Sequence, residues 1–140
     1  MKTAITLLAL FSLSLFCAAA DKDKPAPKKL SEKIQGKWIL SGTPDNIRPA
    51  PKNGGQTKTI KGNKWEVLHK NPKTGKVLIR HGGTFTVKGD LYTESVEYVN
   101  DNTKYLIGQK FKFKVSINKD GVLIQHGQGN PWTEAWRPVK

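Results

Sequence analysis

The sequence predicts an all-β domain, an antiparallel meander of about 8–10 strands closed into a small barrel. Short runs rich in β-branched and aromatic residues are separated by turns containing Gly, Asn and Asp, and no long segment carries a helical apolar period. The clearest run, "KFKFKVSI", puts Phe111, Phe113, Val115 and Ile117 on one face and Lys110, Lys112, Lys114 and Ser116 on the other. One side is core and the other is water. Closure into a barrel is the simplest way for such a meander to protect its edges.

The first twenty residues, "MKTAITLLALFSLSLFCAAA", read as an export signal: Lys2, an apolar run to Phe16, then Ala18 and Ala20 at the spacing of a cleavage site near Ala20. The apolar run is short for a membrane span. Lipidation through Cys17 is disfavoured by the bulky Phe16 before it. A secreted or periplasmic protein is therefore expected, and cleavage removes the single cysteine, leaving no disulfide to staple the fold. The remaining length suits one domain, held by its core.

Residues 21–33, beginning "DKDKPAPKK", read as a charged flexible leader, with a short helical turn at "LSEKIQ" and Ser31 as its candidate cap. The barrel domain is expected over 34–140. "GKWIL" opens the first strand. The irregular stretch Ser41–Gly55 holds three prolines, the composition of a lid over the barrel's open end or of a tolerated insertion. "QTKTI" and "KWEVLHK" then flank Lys61-Gly62-Asn63, and "KVLIRH" follows the turn "NPKTG". "GTFTV" and "LYTESVEYV" flank Gly89-Asp90, "QKFKFKVSI" and "VLIQH" flank "NKDG", and "WTEAWRPV" closes the chain.

The chain carries a net charge of +13, falling to +12 once Lys2 leaves with the signal. Such a surplus invites an anionic neighbour. Yet only Arg48, Arg80 and Arg137 among the 24 basic residues are arginines. Arginine reads phosphate through a bidentate fork, whereas lysine is a mobile point charge that keeps surfaces soluble. The charge is therefore read first as the solvated outer pleat of the barrel, with weak association with anionic surfaces as its further consequence. Nucleic acid is not an expected partner, because the aromatics and lysines of "KFKFK" point to opposite faces and cannot share one surface.

Turn counting places charges indoors. Across the Gly89-Asp90 turn, Val87 pairs with Tyr92 and Phe85 with Glu94; across Gly62-Asn63, Ile60 pairs with Trp65 and Lys58 with Val67. Paired residues share a face, so Glu94 falls among aromatics with Tyr98 on the same face, and Lys58 joins Ile60, Trp65, Val67 and His69. In the last strand Trp132, Glu134 and Trp136 share a face. The expected interior thus holds two carboxylates and a lysine, placed by alternation that a bulge would reverse. An unpaired buried charge is costly, so these groups are expected either to pair with one another or to anchor a ligand.

The three histidines do not suggest a metal site. Strand counting sets His81 opposite a residue near Trp65, on the order of 13 Å from His69, and His126 has no partner at ligand spacing. Two inward carboxylates could serve glycoside hydrolysis only at a defined separation, which nothing in the sequence fixes. No catalysis, metal or cofactor is expected.

The residues also carry a resemblance. "GKW", with Arg137 following Trp136 in the last strand, is similar to the lipocalin and calycin arrangement, which implies Trp38 and Arg137 as a barrel-closing pair. The blocks "TKTIKGNKWEVLHKNPKTGKVL", "GGTFTVKGDLYTESVEY", "LIGQKFKFKV" and "TEAWRPV" resemble a small lipocalin-like domain of uncharacterised bacterial secreted proteins, over roughly residues 34–139. The resemblance implies a small barrel around an internal pocket and no particular activity.

The expected function is enclosure of a small, apolar or amphiphilic molecule by a monomer, with Trp65, Phe85, Tyr92 and Tyr98 as walls and Lys58, Glu94 and Glu134 as polar anchors. Carboxylates outnumbering the lysine would favour a ligand with a donor or cationic group. The competing readings are a lysine-rich surface that docks anionic polymer or lipid head groups, and a structural domain with a filled core.

Overall fold

The structure, a computed structural model, describes residues 26–140. The expected signal at 1–20, Cys17 and the start of the charged leader lie outside the described residues. The elements are helix α1 (Leu30–Lys33), strands β1 (Gly36–Leu40), β2 (Gly42–Thr43), β3 (Asn46–Ile47), β4 (Gln56–Lys61), β5 (Lys64–Lys70), β6 (Val77–Lys88) and β7 (Leu91–Val99), a 3-10 turn η1 (Asp101–Leu106), and β8 (Lys110–Ile117), β9 (Leu123–Gln128) and β10 (Thr133–Pro138).

Eight strands form a closed barrel in the order β1-β10-β9-β8-β7-β6-β5-β4, every pair antiparallel, with β2 and β3 as a separate ribbon. The all-β barrel class is as the alternation predicts. Tight turns fix the register locally: Gly62 and Gly89 adopt φ of 63° and 62°, which a side chain would resist. Across them Lys61 faces Lys64 and Lys88 faces Leu91, so that Lys58↔Val67, Ile60↔Trp65, Phe85↔Glu94 and Val87↔Tyr92 are the observed pairs. The buried core runs along the inner face through Trp38, Ile60, Trp65, Phe85, Tyr92, Phe113, Val115, Leu123 and Trp136. On β8 Phe113 and Val115 are buried while Lys110, Lys112 and Lys114 are exposed.

One end of the barrel is plugged by the N-terminal turn. Ile34 is fully buried, Leu30 packs on the core, and the carbonyl of Ile34 accepts the indole N–H of Trp38 at 2.9 Å. Packing therefore begins at Leu30, inside the segment expected as leader. Ser31 is not the cap; Lys29 occupies that position without a side-chain bond. The expected pairing of Trp38 with Arg137 is not formed. Arg137 stands opposite Ile39, one residue out of phase with Trp38, on the outer face, and its Nε donates to the carbonyl of Arg48 at 2.9 Å. Period-2 alternation forbids two adjacent registers from sharing a face.

The segment Ser41–Gly55 is no lid. Its amide and carbonyl at Ser41 bond Ala135 and Arg48, Ile47 packs on Val122, Ile124 and Ala135, and Gly55 lies against Pro51 and Ile39. It covers the outside of β9, β10 and β1. The opposite mouth is partly covered by η1, whose Leu106 and Thr103 are buried while Tyr105 is exposed. This turn is stitched to β6: Asn100 and Asn102 donate to the Leu78 carbonyl, and the Thr103 hydroxyl donates to the Arg80 carbonyl at 3.0 Å.

A bulge between Gly82 and Gly83 shifts β6 against β7, so that Gly83 faces Val96 but Gly82 faces Tyr98. The extra residue reverses the alternation beyond Val96. Tyr98, expected as an inner wall, is therefore turned outward and 40% exposed, its hydroxyl donating to Glu66 Oε2 at 2.9 Å.

Candidate functional site

Inside the barrel, β4, β7 and β9 bring three polar side chains to one point. Lys58 is 2% exposed, and its Nζ donates to Glu94 Oε1 at 2.7 Å and to Gln125 Oε1 at 2.8 Å. Around that ammonium stand Trp136, Trp65, Phe113 and Tyr92, with ring centroids 5.2, 5.5, 5.6 and 5.9 Å away. Ring faces and a carboxylate replace the water that the charge gave up. The two-residue turns explain why Lys58 and Glu94 face inward. Closure of the barrel explains why they meet.

Above this cluster, toward η1, a cavity of about 170 Å³ remains. Trp65, Val67, Ile79, Leu106, Phe111 and Phe113 supply apolar walls; Lys58, Glu94, Glu134, His81 and Gln56 supply the polar part; Tyr105 and Trp132 stand at the exposed mouth. Phe111 and Trp132 meet edge to face at 4.7 Å, which fixes the rim on that side.

Glu134 reaches the cavity from β10. Its Oε2 accepts the indole N–H of Trp136 at 3.0 Å. Burial raises its carboxyl above the usual range; nearby Lys58 opposes the shift and Glu94 adds to it. His81 enters from β6, edge-on to Trp65 with centroids 5.6 Å apart. Burial, and then the charge of Lys58, lower the imidazole to about 4, and its buried Nδ1 has no hydrogen-bond partner among the described residues. At neutral pH it is an uncharged ring in the cavity wall.

Of the residues expected to bind, Lys58, Trp65, Glu94 and Glu134 line the cavity. Phe85 and Tyr92 lie in the packed core beneath it, their rings 4.9 Å apart. Tyr92's phenol is pushed well up by burial and then by the neighbouring Glu94, and among the described residues its hydroxyl has no hydrogen-bond partner. Tyr98 is outside altogether. Sequence reasoning missed Gln125, although counting across the "NKDG" turn sets it opposite Val115, a residue already assigned to the core. It also set His81 on the order of 13 Å from His69, whereas His81 stands opposite Val67, only one inward position from His69, while still meeting Trp65 edge-on. Among the described residues no group of three His, Cys, Asp or Glu side chains could hold a metal ion.

Comparison with protein-family models finds no match, and neither does comparison with curated proteins. Among solved structures, the chain is similar to a lipocalin-like protein from Bacteroides uniformis ATCC 8492, with a TM-score of 0.54 and 16% identity over 76% of this chain and 99% of that one. At that identity the likeness speaks for the fold alone. Eight antiparallel strands closed around a cavity, together with this likeness, make the chain a lipocalin-like barrel.

Proposed function

We propose that this protein binds a small, partly apolar molecule inside its barrel and does so without catalysis. The observation that carries the reading is the cavity itself: apolar walls, a mouth at η1, and a buried polar floor in which His81 Nδ1 has no partner among the described residues. A filled structural core would leave no such space. Catalysis by paired carboxylates is disfavoured because Glu94 is already engaged by Lys58 at 2.7 Å, leaving Glu134 without a free partner across a substrate bond. The leader-like first twenty residues support export, and hence capture or carriage of the ligand outside the cytoplasm.

Native mass spectrometry of the protein purified from its own source tests this. A bound small molecule is expected, retained at roughly 1 M salt, where the screening length is about 3 Å. Val67→Trp, which fills the cavity from its wall, should release it. Retention that collapses with salt and ignores Val67→Trp would shift the reading to the lysine-bearing exterior.

A further inference from the structure

The cavity's charge balance suggests which ligand it takes, an inference that rests on the enclosure reading above. Among the described residues five titratable side chains line it: Lys58, Glu94, His81 and Glu134 inside, and the Tyr105 phenol at the exposed mouth. Lys58 and Glu94 neutralise one another at 2.7 Å, and the second bond from Lys58 to Gln125 leaves its ammonium committed. An arriving carboxylate would have to displace Glu94 and would then face two buried carboxylates. His81 stays uncharged at neutral pH. What remains is Glu134, which among the described residues accepts one side-chain hydrogen bond, from the Trp136 indole, and so has carboxylate acceptor sites unused. Near the mouth stand Phe111 and Trp132, rings whose faces attract cations.

Size narrows the choice further. An apolar cavity of roughly 150 Å³ holds one benzene molecule, and the present cavity of about 170 Å³ has an open mouth besides. One ring, or its aliphatic equivalent, with a short arm fits; a long acyl chain does not.

We propose that the barrel's ligand is a compact primary amine, an ammonium group on a single flat apolar body, with the ammonium donating to Glu134 and the body held between Trp65 and Phe111. Carboxylate ligands of the same shape are rejected. Lys58 serves to cancel Glu94, so that one carboxylate rather than two faces the ligand.

The test is a matched series of benzylamine, benzyl alcohol, toluene and benzoate, titrated into the protein and followed by calorimetry and by the indole N–H signals of its four tryptophans. Trp65 and Trp132 line the cavity, while Trp38 lies at the plugged end and serves as the internal control. Benzylamine is expected to bind about tenfold or more tightly than benzyl alcohol and toluene, from its ion pair and ring contacts, with benzoate weakest. Glu134→Gln should bring benzylamine down to the level of benzyl alcohol and leave toluene unchanged. Benzoate binding as well as benzylamine, or a benzylamine preference that survives Glu134→Gln, would overturn the amine assignment while leaving enclosure standing. If none of the four moves the Trp65 or Trp132 signals, enclosure of a molecule this size fails and the amine assignment with it. The wild-type series alone decides the ligand class if the variant does not fold.

Discussion

Two cation–carboxylate pairs of nearly the same length sit on opposite faces of this barrel wall. Lys58 and Glu94 meet at 2.7 Å with side chains 2% and 4% exposed; Arg80 and Glu66 meet at 2.9 Å with side chains 56% and 27% exposed. Tyr98 lies on the outer pair, its ring 6.0 Å from the guanidinium. Geometry alone would rank the pairs as equals. Their surroundings do not: the outer pair is screened by water and salt, while the inner pair has surrendered its hydration and depends on its partner, on Gln125 and on four rings. A buried pair is therefore dangerous to break and unremarkable to keep, whereas an exposed one matters little either way.

Breaking the inner pair should have the largest effect. Lys58→Met leaves Glu94 buried beside an apolar chain and is expected to cost about 3–5 kcal/mol in denaturant unfolding. Replacing both, Lys58→Met with Glu94→Met, should recover most of the loss, with a remainder from Gln125, which still lacks its donor. A double variant no more stable than the single one would show that the pair adds stability beyond mutual neutralisation.

On the outer side, backbone crowding matters more than charge. A Cβ at Gly82 would run into the carbonyl of Trp65 and the hydroxyl end of Tyr98. Gly82→Ala should therefore cost about 1–3 kcal/mol through displacement of β6 against its neighbours. A neutral outcome would mean that the bulge relaxes freely.

The cavity residues should appear in the pH dependence with opposite signs. His81's folded value of about 4 lies below its ordinary 6.5, so the unfolded chain takes up a proton first on acidification. Its contribution is present above pH 6.5 and is lost as pH falls toward about 4. Glu134's folded value is raised above 4.5, so its contribution is present below that value and is lost as pH rises through the folded value. His81→Gln should flatten the acid-side fall, and Glu134→Gln should flatten the loss on the other side, so that each variant unmasks the slope of the other. Melting curves across acid to neutral pH would reveal this. Identical profiles for wild type and both variants would contradict the burial assigned to these groups.

The smallest effect is expected from Arg80→Met. Its guanidinium is raised above its ordinary value mainly by the hydrogen bond it donates to Glu66, but it stands in water. The change should disappear into the error of an unfolding experiment, and wholly so in high salt. A loss approaching that of Lys58→Met would undo the contrast between the two faces.

The inner pair was legible before any fold was known, and the outer one was not. Lys58 and Glu94 each sit three or four residues from a two-residue turn, so local pairing fixes their face. Tyr98 sits on the same strand as Glu94 but beyond the bulge opposite Gly82 and Gly83, and there the same counting fails. Gln125 stayed hidden because "VLIQH" shows no alternation: Ile124 on the outside is as apolar as Leu123 within, since the Ser41–Gly55 segment covers it. The real cap was passed over in favour of a proline-rich loop. Yet Asn100 and Thr103, which bond one another at 2.8 Å, are turn-forming residues immediately before the buried Leu106.

By itself, then, the sequence determined what lies within a turn's reach: strands, hairpin registers, an apolar inner face, and two charges committed to it. Those follow from a side-chain period of two and from glycines that alone tolerate the turn conformation. Only the tertiary structure decided that Lys58, Glu94 and Gln125, 36 and 67 positions apart along the chain, meet at one ammonium. It also decided that Glu134 remains unmatched beside them and that a bulge turns Tyr98 to water. Such meetings depend on how the ring of strands closes and how each is staggered on the next. No local pattern encodes that closure, because it is set by the packing of all eight strands together.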